Sequence, residues 1–364
     1  MKQLKDFEQE LNKCSKCGLC QDVCPIFKLN KNDCAVSKGK FTMLHGVTKG
    51  DLTLSKNINK YLDMCLKCGK CTAFCPAGID ACEIINTAKI EFMNKSYTTS
   101  ILQFIHKIFM LFVKLCANIT NPLRPTLKKA ENPKMVLLYF KGCVNNVLPN
   151  TDKYLNKIFK GLPVDIVEPE FDCCGLPFLS DGCIESFEKV AKSNISKFDC
   201  KYDYLVTDCA SCESTILDYP KYVKDFELLP SKSINWGNLI AFLDIKFVFK
   251  KNMKITFHKP CHLKNDVFLN KILKNCTNIE YFKMQDYDEC CGFAGSFILK
   301  NNKISKELMK NKAKSVINSG ADYVITSCPA CIMGLNYGLN MMNNRKVKVL
   351  SLLELLAMAD EIKY

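Results

Sequence analysis

FDCCGLP, residues 171–177, and DECCGFA, residues 288–294, each set two cysteines side by side and close them with a glycine. Working outward from each pair exposes the same surroundings twice. KMVLLYFKGC is a buried-strand pattern running into Cys143, and MKITFHKPC does the same into Cys261. A helix, a short strand and the CCG triplet follow in each case. A further helix and strand come next, YDYLVTDCASC or ADYVITSCPAC, ending in C-x2-C. Corresponding cysteines are offset by 261 − 143 = 118, 290 − 173 = 117 and 328 − 209 = 119 residues. So steady a period marks an internal repeat. Strands alternating with helices predict two α/β domains with mostly parallel sheets, whose functional residues gather at the carboxyl ends of strands. Cys143, Cys209, Cys261 and Cys328 all stand at predicted strand ends, so the cysteines of each repeat are expected to converge on one site. Adjacent cysteines fit the corners of an ordinary tetrahedral site poorly and can bridge metals in a larger cluster. Gly175 and Gly292 remove a Cβ there and permit positive φ.

The first part of the chain carries a different pattern, also twice. CSKCGLCQDVCP, residues 14–25, and CLKCGKCTAFCP, residues 65–76, both read C-x2-C-x2-C-x3-C-P. That is the bacterial spacing for [4Fe–4S] ligation, in which the fourth cysteine serves the other cluster. It assigns Cys14, Cys17, Cys20 and Cys75 to one cluster and Cys65, Cys68, Cys71 and Cys24 to the second. Zinc ribbons use two C-x2-C pairs, without the third cysteine at the same interval or the C-P ending. Residues 1–98 are therefore read as a helical two-cluster ferredoxin domain, 134–245 and 246–364 as the two cysteine-rich domains. Residues 99–133 are read as an amphipathic helix and a proline-containing linker. Its stripe, Ile101, Phe104, Ile105, Ile108, Phe109, Phe112 and Leu115, is too short to span a bilayer and would pack on the protein, on a partner or at a membrane surface.

Composition narrows the chemistry. The chain has 364 residues and 24 cysteines. Its charged start, MKQLKDFEQEL, lacks the apolar core of a signal peptide. Clustered cysteines in a long chain of this kind indicate metal or redox chemistry more than a disulfide framework, and the reading is a cytoplasmic protein whose membrane association would run through partners. The formal charge of +14 counts every cysteine as neutral, whereas metal-bound cysteines are thiolates. Lysines are spread along the chain without a basic, aromatic-interleaved stripe, which argues against nucleic acid. Cys34, Cys82, Cys116, Cys183, Cys200 and Cys276 match no motif and are read as small buried apolar residues. His258 and His262 flank Cys261, where they would hydrogen-bond a cluster or relay protons, or else lie exposed at a polar loop end.

The GC…CCG…C-x2-C pattern, with its PCHL and CCGFAGSF variant, resembles the cysteine-rich CCG domains. These occur in glycolate oxidase iron–sulfur subunits, lactate-utilisation proteins and heterodisulfide reductase subunits. The resemblance covers nearly the whole chain and implies an α/β protein with an N-terminal ferredoxin-like domain, acting as an electron-transfer subunit. It implies two [4Fe–4S] clusters and one or two further Fe–S clusters in the CCG domains. The ligand sets it carries over are Cys143, Cys173, Cys174, Cys209 and Cys212, then Cys261, Cys290, Cys291, Cys328 and Cys331. No Gly-x-Gly-x-x-Gly fingerprint or P-loop is present, so flavin and substrate would belong to a partner flavoprotein dehydrogenase oxidising glycolate or lactate. Electrons would leave toward a quinone or another carrier. The alternative is a heterodisulfide-reductase-like subunit that reduces a disulfide at a CCG-bound cluster, and the complete C-x2-C in both repeats speaks for it. No catalytic residue outside the clusters is assigned.

Overall fold

The computed structural model describes residues 1–94, 125–147, 150–228 and 230–364, together with 108, 111, 112, 115, 116 and 119. The chain forms two compact units. The first comprises Met1–Lys107, Gly175–Glu188 and Cys290–Met309; the second comprises Ile108–Cys174, Lys189–Glu289 and Lys310–Tyr364.

Helices build the first unit. Ser37–Lys49 ends on Gly50 at φ +85°, the left-handed C-terminal turn that glycine adopts without a Cβ penalty. Lys56–Asp63 opens on Ser55, whose side chain accepts from Ile58 N. Ala81–Asn94 opens on Asp80, whose Oδ1 accepts from Cys82 N and Glu83 N at 3.0 and 3.1 Å. Their inward faces, with Leu4 and Phe7, bury Leu44, Leu62, Ile84, Ile85 and Ala88 in one core. The two later segments join this unit through charge. Lys89 meets Asp63 at 2.7 Å, and Lys300 meets Asp181 at 2.7 Å and Asp63 at 3.1 Å. Lys89 and Asp181 are buried, and buried charges persist only when paired.

The second unit holds the strands: β1 Met135–Tyr139, β2 Val164–Val167, β3 Tyr204–Thr207, β4 Ser233–Asn235, β5 Lys246–Val248, β6 Met253–Phe257, β7 Ile279–Tyr281, β8 Tyr323–Thr326, β9 Lys348–Ser351 and β10 Glu361–Lys363. Two four-stranded parallel sheets have orders β2-β1-β3-β4 and β7-β6-β8-β9, the same topology twice. The antiparallel pair β5–β10 is separate. Parallel strands are covered on both faces and read as continuous apolar runs, which is why MVLLY at β1 contains three fully buried residues, Leu137, Leu138 and Tyr139. Phe140 N donates to Val206 O at 2.8 Å and His258 N to Ile325 O at 2.9 Å. The backbones of the two repeats thus leave β1 and β6 in the same way, immediately before Cys143 and Cys261. The chain has an N-terminal helical dicluster region followed by two α/β repeats with parallel sheets.

Of the apolar stripe, Ile101, Phe104, Ile105 and Phe109 lie outside the described residues; Ile108, Phe112 and Leu115 are exposed. Among the described residues no helix is long and apolar enough to cross a membrane.

Candidate iron–sulfur sites

The two N-terminal motifs fold alike. Lys16 and Lys67 take positive φ (57° and 56°), and Gly18 and Gly69 follow at 89° and 70°. Each C-x2-C-G therefore curls tightly before a short helix, Leu19–Asp22 or Lys70–Ala73. Cys14, Cys17, Cys20 and Cys75 line one cavity, with Cys71 also in its wall. Cys24 lies within electrostatic reach of Cys65, and Cys71 within reach of Cys65, Cys24 and Cys20. The crossed sharing of fourth cysteines expected from the spacing is compatible with this arrangement.

The surroundings of the second motif are cationic, and spacing gave no sign of it. Lys40 and Lys67 are buried. Lys40 Nζ donates to Met64 O at 3.2 Å and Lys67 Nζ to Asn86 Oδ1 at 2.6 Å. Burial pushes the Cys65 thiol up, but the charges of Lys40, Lys67 and Lys89, with a hydrogen bond from the Lys67 backbone, outweigh it and the net direction is down. Burial holds Lys67 at about 8, against the pull of Cys65. Cys82, one of the unassigned cysteines, lies near Cys65 and Cys71; burial, then those two, push its thiol well up.

In the first repeat the cysteines form a connected series. Cys143 follows β1 in the short helix Gly142–Asn145. Cys209 caps the helix Ala210–Leu217, and Cys212 sits in its first turn. Cys173 makes side-chain contacts with Cys143 and then Cys174, which with burial raise its thiol well above the usual range. Cys212 does the same with Cys174 and Cys209. The series continues into the second repeat, because Cys209 also contacts Cys328, which contacts Cys331. Cys328 caps the helix Pro329–Met341, and hydrogen bonds from Cys209 and Cys331 lower its thiol well below the ordinary value. Ala210 N donates to Ser327 O at 3.2 Å, so the starts of two helices meet at this point. Their positive ends favour thiolates. Seven sulfurs, Cys143, Cys173, Cys174, Cys212, Cys209, Cys328 and Cys331, thereby lie in one chain of contacts. Of the remaining candidates, Cys261 and its neighbour His262 belong to this second unit; Cys290 and Cys291 belong to the first.

Residues without cysteine spacing to mark them shape the site. Asn194 Nδ2 donates to Cys173 O at 3.0 Å and to Tyr219 Oη at 3.1 Å, and Tyr219 donates to Cys174 O at 2.9 Å. Together they fix the backbone of the adjacent pair. Ser211 Oγ bonds His262 Nδ1 at 2.9 Å and approaches Cys328 Sγ at 3.9 Å. Gly175 and Gly292 adopt φ +89° and +85°, as expected. A Cβ on Gly292 would lie 2.8 Å from Leu308 Cβ and 2.9 Å from Ser305 O. That glycine therefore admits a helix against the triplet, a reason the sequence did not supply.

Gly142 gives a direct test of the first site. It has φ +76°, and a Cβ there would stand 3.1 Å from Cys212 Sγ. Forcing a non-glycine residue into this region costs about 1–2 kcal/mol. If the first repeat binds metal, Gly142→Ala is expected to lose it without loss from the second repeat, read as metal content per chain. Full retention would show that Cys212 has room to move.

Of the two readings left open for His258, the exposed loop end is excluded, because the side chain is fully buried and neither ring nitrogen has a hydrogen-bond partner. Burial, then Lys312, holds it at about 3, against Cys328, the Tyr287 backbone and Asp288. Of the six unassigned cysteines, Cys183 is buried, Cys200 is exposed, and Cys34, Cys82, Cys116 and Cys276 are intermediate. The small-apolar reading fails for Cys200, which sits in the loop before β3 with its thiol near Lys197 O.

Comparison with known proteins agrees with this architecture. Residues 10–79 match the 4Fe-4S dicluster domain, and residues 137–217 and 255–336 each match the cysteine-rich domain CCG. The chain belongs to the CCG cysteine-rich domain family, with an N-terminal 4Fe-4S dicluster. The dicluster match implies two [4Fe–4S] clusters. Among relatives, a subunit of the fumarate reductase (CoM/CoB) of Methanothermobacter marburgensis is 27% identical, over 96% of this chain and 73% of that protein. The probable glycolate oxidase iron-sulfur subunit of Bacillus subtilis is 21% identical over 96% of this chain and 94% of its own length. Lactate utilization protein A of Bacillus pumilus is 26% identical over 61% of this CCG chain and 98% of that protein. A hypothetical protein from Helicobacter pylori of known structure shares the fold at TM-score 0.55 and 11% identity, covering 98% of this chain and 76% of that one.

Proposed function

We propose that this CCG protein is the iron–sulfur electron-transfer subunit of a multi-subunit oxidoreductase, fed by a flavoprotein that oxidises a 2-hydroxy acid such as glycolate or lactate. Cys14, Cys17, Cys20 and Cys75 would hold one cubane and Cys65, Cys68, Cys71 and Cys24 the other. Cys143, Cys173, Cys174, Cys209 and Cys212, and then Cys261, Cys290, Cys291, Cys328 and Cys331, would hold the CCG centres. The iron supplies the one-electron steps. The chain's own residues set potential through burial, charge and hydrogen bonds. The observation that carries the reading is the correspondence along 96% of this chain and 94% of the probable glycolate oxidase subunit. Electrons would continue to a quinone or another carrier, at the membrane or through a further partner.

A second reading rests on the contact between Cys209 and Cys328. Two one-electron centres that adjoin suit a two-electron couple, and a thiol–disulfide pair is one. Under this reading a disulfide would be reduced at the CCG sites. One experiment separates the two. The protein is purified anaerobically from its host with partners retained, and glycolate, lactate or a disulfide is added while iron–sulfur absorbance is followed. Bleaching by a hydroxy acid with co-purified flavin is expected. Reoxidation of pre-reduced clusters by a disulfide alone, without flavin, would overturn the first reading and favour the second.

A further inference from the structure

The repeats match closely in backbone and differ at a buried position near the first cysteine of each. His258 is three residues before Cys261, and Phe140 is three before Cys143. The paired bonds to Ile325 O and Val206 O place them equivalently. Phe140 stacks on Phe171, with ring centroids 4.8 Å apart. His258 instead puts an imidazole in a fully buried place where neither nitrogen is hydrogen-bonded. Burying a polar group without a partner is destabilising, so this imidazole points to a partner that the protein atoms do not supply. One candidate is close: a ring nitrogen lies within 4.8 Å of Cys331 Sγ. Two donors bound at about 2.0–2.3 Å to one tetrahedral metal ion stand about 3.6 Å apart, a separation that lies inside this limit.

We propose that His258 is a metal ligand of the second repeat, donating a ring nitrogen to an iron that Cys331 also holds. The proposal rests on the reading that the second repeat binds an iron–sulfur centre, and it deepens that reading by making the two CCG centres unequal. The first repeat offers an aromatic hydrocarbon at this position and the second a nitrogen donor. His258 would take the place of one of the five thiolates on an iron, and imidazole in place of thiolate removes negative charge and raises the reduction potential, as in Rieske centres relative to plant-type ferredoxins. The second CCG centre would then be the more oxidising of the two. Electrons would settle there first.

The test uses the full chain, reconstituted anaerobically with iron and sulfide, with natural-abundance or 15N-labelled histidine. Pulsed electron paramagnetic resonance is expected to show a strongly coupled histidine nitrogen whose pattern changes with the label. The coupling is expected to vanish in His258→Phe, which copies the first repeat, and in His258→Gln, and to persist in His262→Gln. The potential of one centre should fall in His258→Phe. Absence of the coupling, a coupling of only hydrogen-bond strength, or its survival in His258→Phe would each overturn the assignment. Iron counting separates the underlying reading. If a variant with Cys290→Ser, Cys291→Ser, Cys328→Ser and Cys331→Ser combined leaves the iron content unchanged, the second repeat holds no iron and both claims fail. If it removes iron while no nitrogen couples, only the role of His258 fails.

Discussion

In protein reconstituted anaerobically, Cys24→Ser is expected to lower iron by about four atoms per chain and to remove the higher-potential of the two N-terminal cubanes. Cys75→Ser should lower iron by the same amount and remove the other. The expectation rests on the proposed crossed ligation, with Cys24 within electrostatic reach of Cys65 and Cys71 and Cys75 in the cavity with Cys14, Cys17 and Cys20, which Cys71 also lines. The order of potentials follows from charge. Reduction adds an electron, and buried cations favour the more negative state at low effective dielectric. Lys40 and Lys67, joined by Lys89 and the Lys67 backbone, bear on Cys65 strongly enough to reverse the effect of its burial. Lys67→Met should therefore lower the potential of the centre that Cys24→Ser deletes and leave the other nearly unchanged. Redox titration followed by electron paramagnetic resonance reads both effects. Loss of the higher-potential signal in Cys75→Ser would mean that each motif supplies all four of its own ligands.

Much of this was legible in the sequence because cysteine spacing is a strong and local signal. C-x2-C-x2-C-x3-C-P constrains the chain within a dozen residues, and the steady repeat offset marked the duplicated α/β domains. Strand ends were readable too, since apolar runs such as MVLLY stop where the cysteines begin. What stayed hidden depends on contacts between residues far apart in the chain. Asn194 and Tyr219 hold the backbone of Cys173 and Cys174 from a distance of 21 and 45 residues, and neither has a periodic mark. The approach of Cys209 to Cys328 joins two repeats that sequence reasoning treats as separate sites. The burial of His258 was undecidable from its neighbours, because Lys259 and Pro260 suggest a polar loop whereas the preceding TF belongs to a core strand. Setting His258 against Phe140 in the repeat register was the available clue, since the equivalent position was apolar.

The same register exposes a lysine that both repeats keep, at Lys141 and Lys259, two residues before the first cysteine. Lys141 lies 2.6 Å from Asp152 Oδ2 and 3.1 Å from Glu168 Oε1, with the Lys141 and Asp152 side chains only 3% and 5% exposed. Lys259 meets Asp266 at 3.3 Å in a more open setting, with side chains 20% and 25% exposed. Breaking a buried pair by removing one partner costs about 3–5 kcal/mol, because the remaining charge is left uncompensated, whereas exposed pairs contribute about 0–1 kcal/mol. Lys141→Met is therefore expected to destabilise the protein by about 3–5 kcal/mol in urea unfolding under anaerobic conditions. Lys259→Met should cost far less. The double variant Lys141→Met, Asp152→Leu should regain most of the loss, since it removes the stranded carboxylate and fills the space with hydrocarbon. Equal effects of Lys141→Met and Lys259→Met would mean that the two lysines act through their neighbouring cysteines rather than through burial. A double variant no better than Lys141→Met would place the loss in packing of the lysine stem or in the Glu168 carboxylate, which also faces Lys141 at 3.1 Å and loses that partner in both variants.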